Sequence, residues 1–119
     1  MRGAVAESMV CTWALEQGYN VCFPARGLAP PYDMILERFG ICRRVQVKRA
    51  YWRKRDTYNQ LRVKLLDGNA DPYDYVDVQA FAIVDTDTPR IWMIPFGCVC
   101  DKRSIALSSG KWDKYLVKG

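Results

Sequence analysis

The segment from Tyr32 to Lys48 constrains the fold more than any other stretch of the chain. Two runs, Tyr32-Asp33-Met34-Ile35-Leu36-Glu37 and Cys42-Arg43-Arg44-Val45-Gln46-Val47-Lys48, flank the pair Phe39-Gly40. Glycine tolerates the positive φ that a two-residue hairpin turn requires, so the runs are expected to pair as antiparallel strands. With Phe39 and Gly40 as the turn residues, Asp33 stands across from Gln46. Side chains alternate along a strand, which puts Arg44, Gln46 and Lys48 on one face and points Val45 and Val47 into the core. Lys48 is then diagonal to Asp33, about 7–8 Å away at Cα and within reach of long side chains. A slip of one residue would send these polar groups to opposite faces.

Around this hairpin the pattern predicts a helix over residues 3–17. Val5, Met9, Val10, Trp13 and Leu15 form its apolar stripe, and Gly18 is placed to close it. Tyr19 to Phe23 reads as a strand ended by Pro24, and a loop from Ala25 to Pro31 carries Arg26, Gly27 and two prolines. Further strands are expected near 57–66, 78–85 and 90–95, with a short one near Ser104–Leu107. Asp67-Gly68-Asn69-Ala70-Asp71-Pro72 and Thr86-Asp87-Thr88-Pro89 supply breaks. Val76 to Val84 is almost wholly apolar, as a central strand would be. No repeat or linker divides the 119 residues, so one domain over 1–119 is expected. The class is α+β: an N-terminal helix followed by a mixed, mostly antiparallel sheet.

Composition narrows the chemistry. The chain has no histidine, which excludes histidine triads, histidine-ligated metals and an imidazole general base. Any hydrolysis must use carboxylates, lysine, tyrosine or a metal. The five cysteines (Cys11, Cys22, Cys42, Cys98 and Cys100) show no paired C-x-x-C spacing and are expected to be free thiols buried as small hydrophobes. No apolar run approaches the ~18 residues of a membrane span. The start of the chain meets Glu7 before any long apolar segment, unlike a secretory leader, so an intracellular, cytoplasmic or nucleoid-associated protein is expected.

Net charge is +5, and its distribution matters more than its total. Arg43, Arg44, Lys48, Arg49, Arg53, Lys54, Arg55, Arg62 and Lys64 are nine of the 18 basic residues, opposed over that stretch only by Asp56. Tyr51, Trp52 and Tyr58 are interleaved with them. Cations with aromatics between them suit a nucleic-acid backbone and its bases.

Phosphodiester hydrolysis calls for a divalent ion to polarise the phosphate and acidify a water. Mg²⁺ takes oxygen ligands, often only one or two of them carboxylates, and Mn²⁺ can replace it. Asp33 is the first candidate ligand, the Gln46 side-chain oxygen and the Val47 carbonyl the next two. Glu7, on the first helix, is a further carboxylate. Lys48 could orient the attacking water or neutralise charge developing on the phosphate.

The order Gly3…Glu7 on a helix, then Pro31-Tyr32-Asp33, then Gln46-Val47-Lys48, resembles the PD-(D/E)XK nuclease superfamily. Within it the chain is similar to the small branch of homing endonucleases encoded in group I introns, and more distantly to Holliday-junction resolvases. Tyr75-Val76-Asp77 and Ile91-Trp92-Met93-Ile94-Pro95 look like later strands of that branch, so the resemblance covers about residues 3–96. It implies a restriction-endonuclease-like α/β fold, Asp33 as metal-binding aspartate, Gln46 in the place of the second acidic ligand, Lys48 as catalytic lysine and Glu7 as the helix glutamate. Two departures stand out: Tyr32 intervenes in the Pro-Asp pair, and Gln46 replaces an acid, removing one negative charge from the site.

Three readings follow. The first is a Mg²⁺-dependent homing-type endonuclease that cuts both strands of DNA. It would work as a homodimer or higher homo-oligomer, with Arg43, Arg44, Arg49, Arg53, Lys54, Arg55, Arg62 and Lys64 on the DNA, and would be phage- or intron-encoded. The second is a Holliday-junction resolvase or other structure-specific nuclease. The third is a DNA-binding module whose cleavage has lapsed with the loss of the acid at Gln46.

Overall fold

The computed structural model describes residues 2–25 and 27–119, so Met1 and Arg26 lie outside it. Helix α1 (Arg2–Glu16) leads into β1 (Asn20–Cys22), β2 (Met34–Arg38), β3 (Ile41–Arg49), β4 (Tyr51–Lys54), β5 (Asn59–Lys64), β6 (Ala80–Asp85), β7 (Arg90–Pro95), β8 (Ser104–Ala106) and β9 (Leu116–Lys118). A six-stranded sheet runs β1-β2-β3-β6-β7-β9, and a three-stranded sheet runs β4-β5-β8. Every pairing is antiparallel except β3 with β6.

The hairpin has the register expected of it. Met34 lies opposite Val45 and Arg38 opposite Ile41. Phe39 (φ 55°) and Gly40 (φ 79°) both adopt the left-handed conformation of a type I′ turn. Glu37 ties the turn down, its carboxylate accepting from the Gly40 N–H at 3.2 Å and from the Asn20 amide at 2.8 Å.

The large sheet is buried on both sides. On one face α1 covers Met34, Leu36, Val45, Val47, Ala80, Ala82, Val84 and Ile91. On the other, the small sheet and the C-terminal segment cover Phe81, Ile83, Trp92 and Ile94. β6 lies between β3 and β7 with all six residues buried: Ala80 to Val84 are apolar, as a central strand requires, and Asp85 at its end is paired with Arg90 at 3.0 Å.

The parallel pairing of β3 with β6 explains where the site can form. Parallel neighbours need a long crossover between them. Here it runs from Ala50 to Gln79 and carries β4, β5 and the loop 66–73, which returns over the Gln46 and Lys48 face.

Several expectations need correction. The buried stripe of α1 is Ala6, Val10, Trp13 and Ala14, whereas Val5 and Leu15 are half-exposed at 52% and 58%. The stripe is rotated by about one residue, because two alanines let the helix approach the sheet closely where larger side chains could not. Gly18 does end the helix, at φ 87°, with the Tyr19 N–H reaching the Ala14 carbonyl at 2.9 Å. Tyr75-Val76-Asp77 is a turn, not a strand, and β6 begins only at Ala80, leaving Val76 exposed. Four of the five cysteines are exposed and Cys11, on α1, is half-buried; all are free thiols, but none is buried in the core. Among the described residues no helix is long and apolar enough to cross a membrane.

Candidate active site

β2 begins only at Met34, one residue after Asp33, while β3 continues past the position opposite Asp33. The backbone of Val47 is thereby left without a strand partner on that side. Asp33 satisfies it: Oδ2 accepts from the Val47 N–H at 2.8 Å, and the Asp33 N–H donates to the Val45 carbonyl at 2.9 Å. A buried, unpaired backbone donor is costly, so this bond fixes the carboxylate at the rim of the sheet. The N–H and C=O of one strand residue point to the same edge, so the Val47 carbonyl faces Asp33 as well.

Gln46 and Lys48 lie on the face opposite Val45 and Val47, as the alternation predicts, level with Phe81 and Ile83 of β6. Asp33 and Gln46 line one cleft of about 280 Å³ together with Pro30, Pro31, Asp67, Gly68, Asn69 and Tyr73. Lys48 runs beneath the 66–73 loop. Its Nζ donates to the Leu66 carbonyl at 2.6 Å and stands 4.9 Å from the centre of the Tyr73 ring. Burial holds the Lys48 ammonium below its ordinary value, against the carboxylates of Asp33 and Asp67, which pull it upward. Tyr73 is pushed up to about 12, by burial first and then by the same two carboxylates.

Glu7 does not line this cleft. It reaches Asp33 from the helix side, and its carboxyl is pushed up to about 7, first by burial and then by the hydrogen bond to Asp33 and that group's charge. Two carboxylates pressed into contact repel when both are ionised, an arrangement that a cation relieves. Among the described residues no cluster of three or more His, Cys, Asp or Glu side chains is placed to hold a metal ion. A hard cation here would therefore rest on two carboxylates, Asp33 and Glu7, with neutral oxygens from Gln46 and Val47. That mixture of charged and neutral oxygen donors fits Mg²⁺, which commonly takes only one or two carboxylates.

Beside the cleft runs a larger groove of about 840 Å³, lined by Lys48, Arg49, Tyr51, Trp52, Arg53, Lys54, Lys64, Leu66, Asp67 and Gly68. The two share Asp67 and Gly68 as a dividing wall. Four of the eight expected DNA-contacting residues, Arg49, Arg53, Lys54 and Lys64, line this groove. Arg62 borders its outer side, where it is held by Gln60 (3.0 Å) and Ser104 (2.7 Å). Arg55 sits at the tip of the β4–β5 hairpin. Arg43 and Arg44 lie toward the turn end of β3 and line neither the cleft nor the groove.

Sequence reasoning missed Asp67, Tyr73 and the Leu66 carbonyl, having read 67–72 only as a break between strands. The signal was the tyrosine directly after that polar loop, since a large ring at a loop exit needs something to pack on.

A sequence profile of the family described as PD-(D/E)XK endonuclease matches residues 1–111. No curated protein matches the chain. Among solved structures, the bacterial homing endonuclease I-Ssp6803I superposes with a TM-score of 0.75 at 20% identity, over 87% of this chain and 74% of that one. At that identity the likeness bears on the fold alone, which is restriction-endonuclease-like α+β. The match over nearly the whole length, together with the Asp33, Gln46 and Lys48 arrangement, places the chain in the PD-(D/E)XK endonuclease family.

Proposed function

We propose that this chain is a Mg²⁺-dependent DNA endonuclease of the homing type, acting as one nuclease domain and cutting both strands as a homodimer. The observation that carries the reading is the placement of Asp33 and Gln46 in a cleft that shares a wall with the basic groove, with Lys48 lining the groove next to that wall. Asp33, Glu7, the Gln46 oxygen and the Val47 carbonyl would hold the ion, with Mn²⁺ as a substitute. When bound, the ion polarises the scissile phosphate and acidifies a water. Arg49, Arg53, Lys54 and Lys64 would neutralise phosphates along the groove, and Trp52, half-exposed among them, offers a face to a base or sugar. Lys48, at the seam, would donate to the phosphate oxygen on which charge develops. A single site cuts one strand, so two copies on a duplex account for a double-strand break. An intron- or phage-borne gene and an intracellular site of action accompany this reading.

The test is cleavage of a genomic library and of a synthetic four-way junction in Mg²⁺. Discrete sequence-defined ends are expected, with Asp33→Ala and Lys48→Ala binding DNA but leaving it uncut. Cuts placed only about the junction would favour a structure-specific nuclease. Salt-sensitive binding with no cutting in Mg²⁺ or Mn²⁺ would favour a lapsed enzyme, the outcome that the neutral Gln46 makes worth testing.

A further inference from the structure

A lysine side chain is long and flexible, yet a group acting at a phosphate must be held in place. The loop between β5 and β6 supplies what β3 alone does not. The Leu66 carbonyl takes the Lys48 Nζ at 2.6 Å, and the Tyr73 ring stands 4.9 Å from it on another side. We propose that residues Leu66 to Tyr73 form a clamp on Lys48, with Tyr73 as a positioning residue for cleavage. This rests on the reading of Lys48 as the group that acts at the scissile phosphate.

The loop is built to keep its two jaws together. Leu66 and Pro72 form a β-bridge, and the Asp67 N–H donates to the Asp71 carbonyl at 2.8 Å. The Asp67 carboxylate accepts from the N–H groups of Asn69 (2.8 Å) and Asp71 (3.0 Å) through Oδ1, which closes the loop around itself. Ala70 takes a left-handed conformation (φ 62°) to complete the turn, an unfavourable choice for a residue with a Cβ unless the surroundings enforce it. Tyr73 is anchored in turn. Its ring meets Phe81 edge-on at 5.5 Å and 72°, and Phe81 is a buried residue directly opposite Gln46. The wall of the clamp thus stands on the strand next to the site, so any shift of the ring is resisted by the core. A cation over an aromatic face is attracted to it, most strongly where water is partly excluded. Lys48 is half-buried at this point, between the Asp33 cleft and the basic groove.

The experiment uses the full chain with isotope-labelled lysine, read by NMR, alongside cleavage kinetics on DNA. In the unaltered protein the Lys48 ε-methylene signal is expected to be displaced upfield by the face of the ring. Tyr73→Phe keeps that displacement, because the ring suffices, and Tyr73→Leu loses it. In cleavage, Tyr73→Leu lowers kcat by about 10²-fold with KM for DNA unchanged, the scale of a misplaced reacting group, and Tyr73→Phe restores it. A role in packing alone would lower the melting temperature of Tyr73→Leu without this split between kcat and KM. An undisplaced Lys48 signal in the unaltered protein overturns the clamp, as does a folded Tyr73→Leu protein with normal kcat. The first of these readouts decides even where Tyr73→Leu does not fold. A displaced signal in a protein that cuts no DNA supports the clamp geometry and refutes the nuclease reading instead.

Discussion

The contact between Glu7 and Asp33 makes stability depend on pH in a direction opposite to that of most carboxylates. The Glu7 carboxyl moves from an ordinary 4.5 to about 7 in the folded chain. The folded state therefore holds a proton that the unfolded state has released between those values, and stability falls as pH rises through this window. At ~1.36 kcal/mol per pH unit the full effect is ~3.4 kcal/mol. Glu7 is only partly buried, and solvent screening reduces this to about 1–2 kcal/mol. For a chain of 119 residues that is a fall in Tm of about 4–8 °C between about pH 5 and about pH 7.5. The absence of histidine makes the measurement clean. Glu37 and Asp85 are held below their ordinary values, which keeps both out of the window. Thermal unfolding by circular dichroism in EDTA should show the fall, Glu7→Gln should abolish it, and Asp33→Asn should reduce it without removing it, because burial is the largest cause. Millimolar Mg²⁺ should reverse the fall at the upper end, since a cation competes with the shared proton. A Tm that rises across the window in EDTA, or a Glu7→Gln protein with the same slope, would refute the reasoning.

Two further outcomes follow from the same geometry. Gln46→Glu places a third carboxylate in the Asp33 cleft and should lower the Mg²⁺ concentration for half-maximal cleavage by about tenfold, equivalent to ~1.4 kcal/mol of ion affinity. An unchanged Mg²⁺ titration would remove Gln46 from the ligand set. Gly40→Ala forces a Cβ into φ 79° and should cost about 1–2 kcal/mol in urea unfolding, with the m-value unchanged. No loss there would mean that the turn relaxes to another type.

What could be read in the sequence was what local geometry determines. A two-residue turn with glycine sets the register of its strands, and the register sets which face each side chain takes. Val45 and Val47 under the helix, with Gln46 and Lys48 on the other face, followed from that alone. The closing glycine of α1 and the central strand β6 were legible for similar reasons, a turn residue and an almost wholly apolar run. The helix stripe was not, because hydrophobicity favours Val5 and Leu15 while packing against a sheet favours the small Ala6 and Ala14. β4 and β9 were missed because neither has a sequence pattern of its own: Tyr51–Lys54 has no apolar–polar alternation and is mostly exposed, and Leu116–Lys118 is three residues long. Each becomes a strand only because an existing edge accepts it.

The site divides along the same line. Asp33, Gln46 and Lys48 are neighbours through the hairpin, whose pairing the sequence specifies within 17 residues. Glu7, Asp67 and Tyr73 arrive through tertiary structure: the first across the helix–sheet interface, the others on a crossover that exists because β3 and β6 are parallel. Tyr73 signals that something packs at the loop exit, but nothing local in 66–73 identifies that partner as Lys48. If the crossover is what brings the clamp to the lysine, its geometry should matter more to catalysis than its composition. A loop of the same length that keeps Asp67, Tyr73 and the Leu66–Pro72 bridge would then preserve the site, whatever side chain other than proline replaces Asn69.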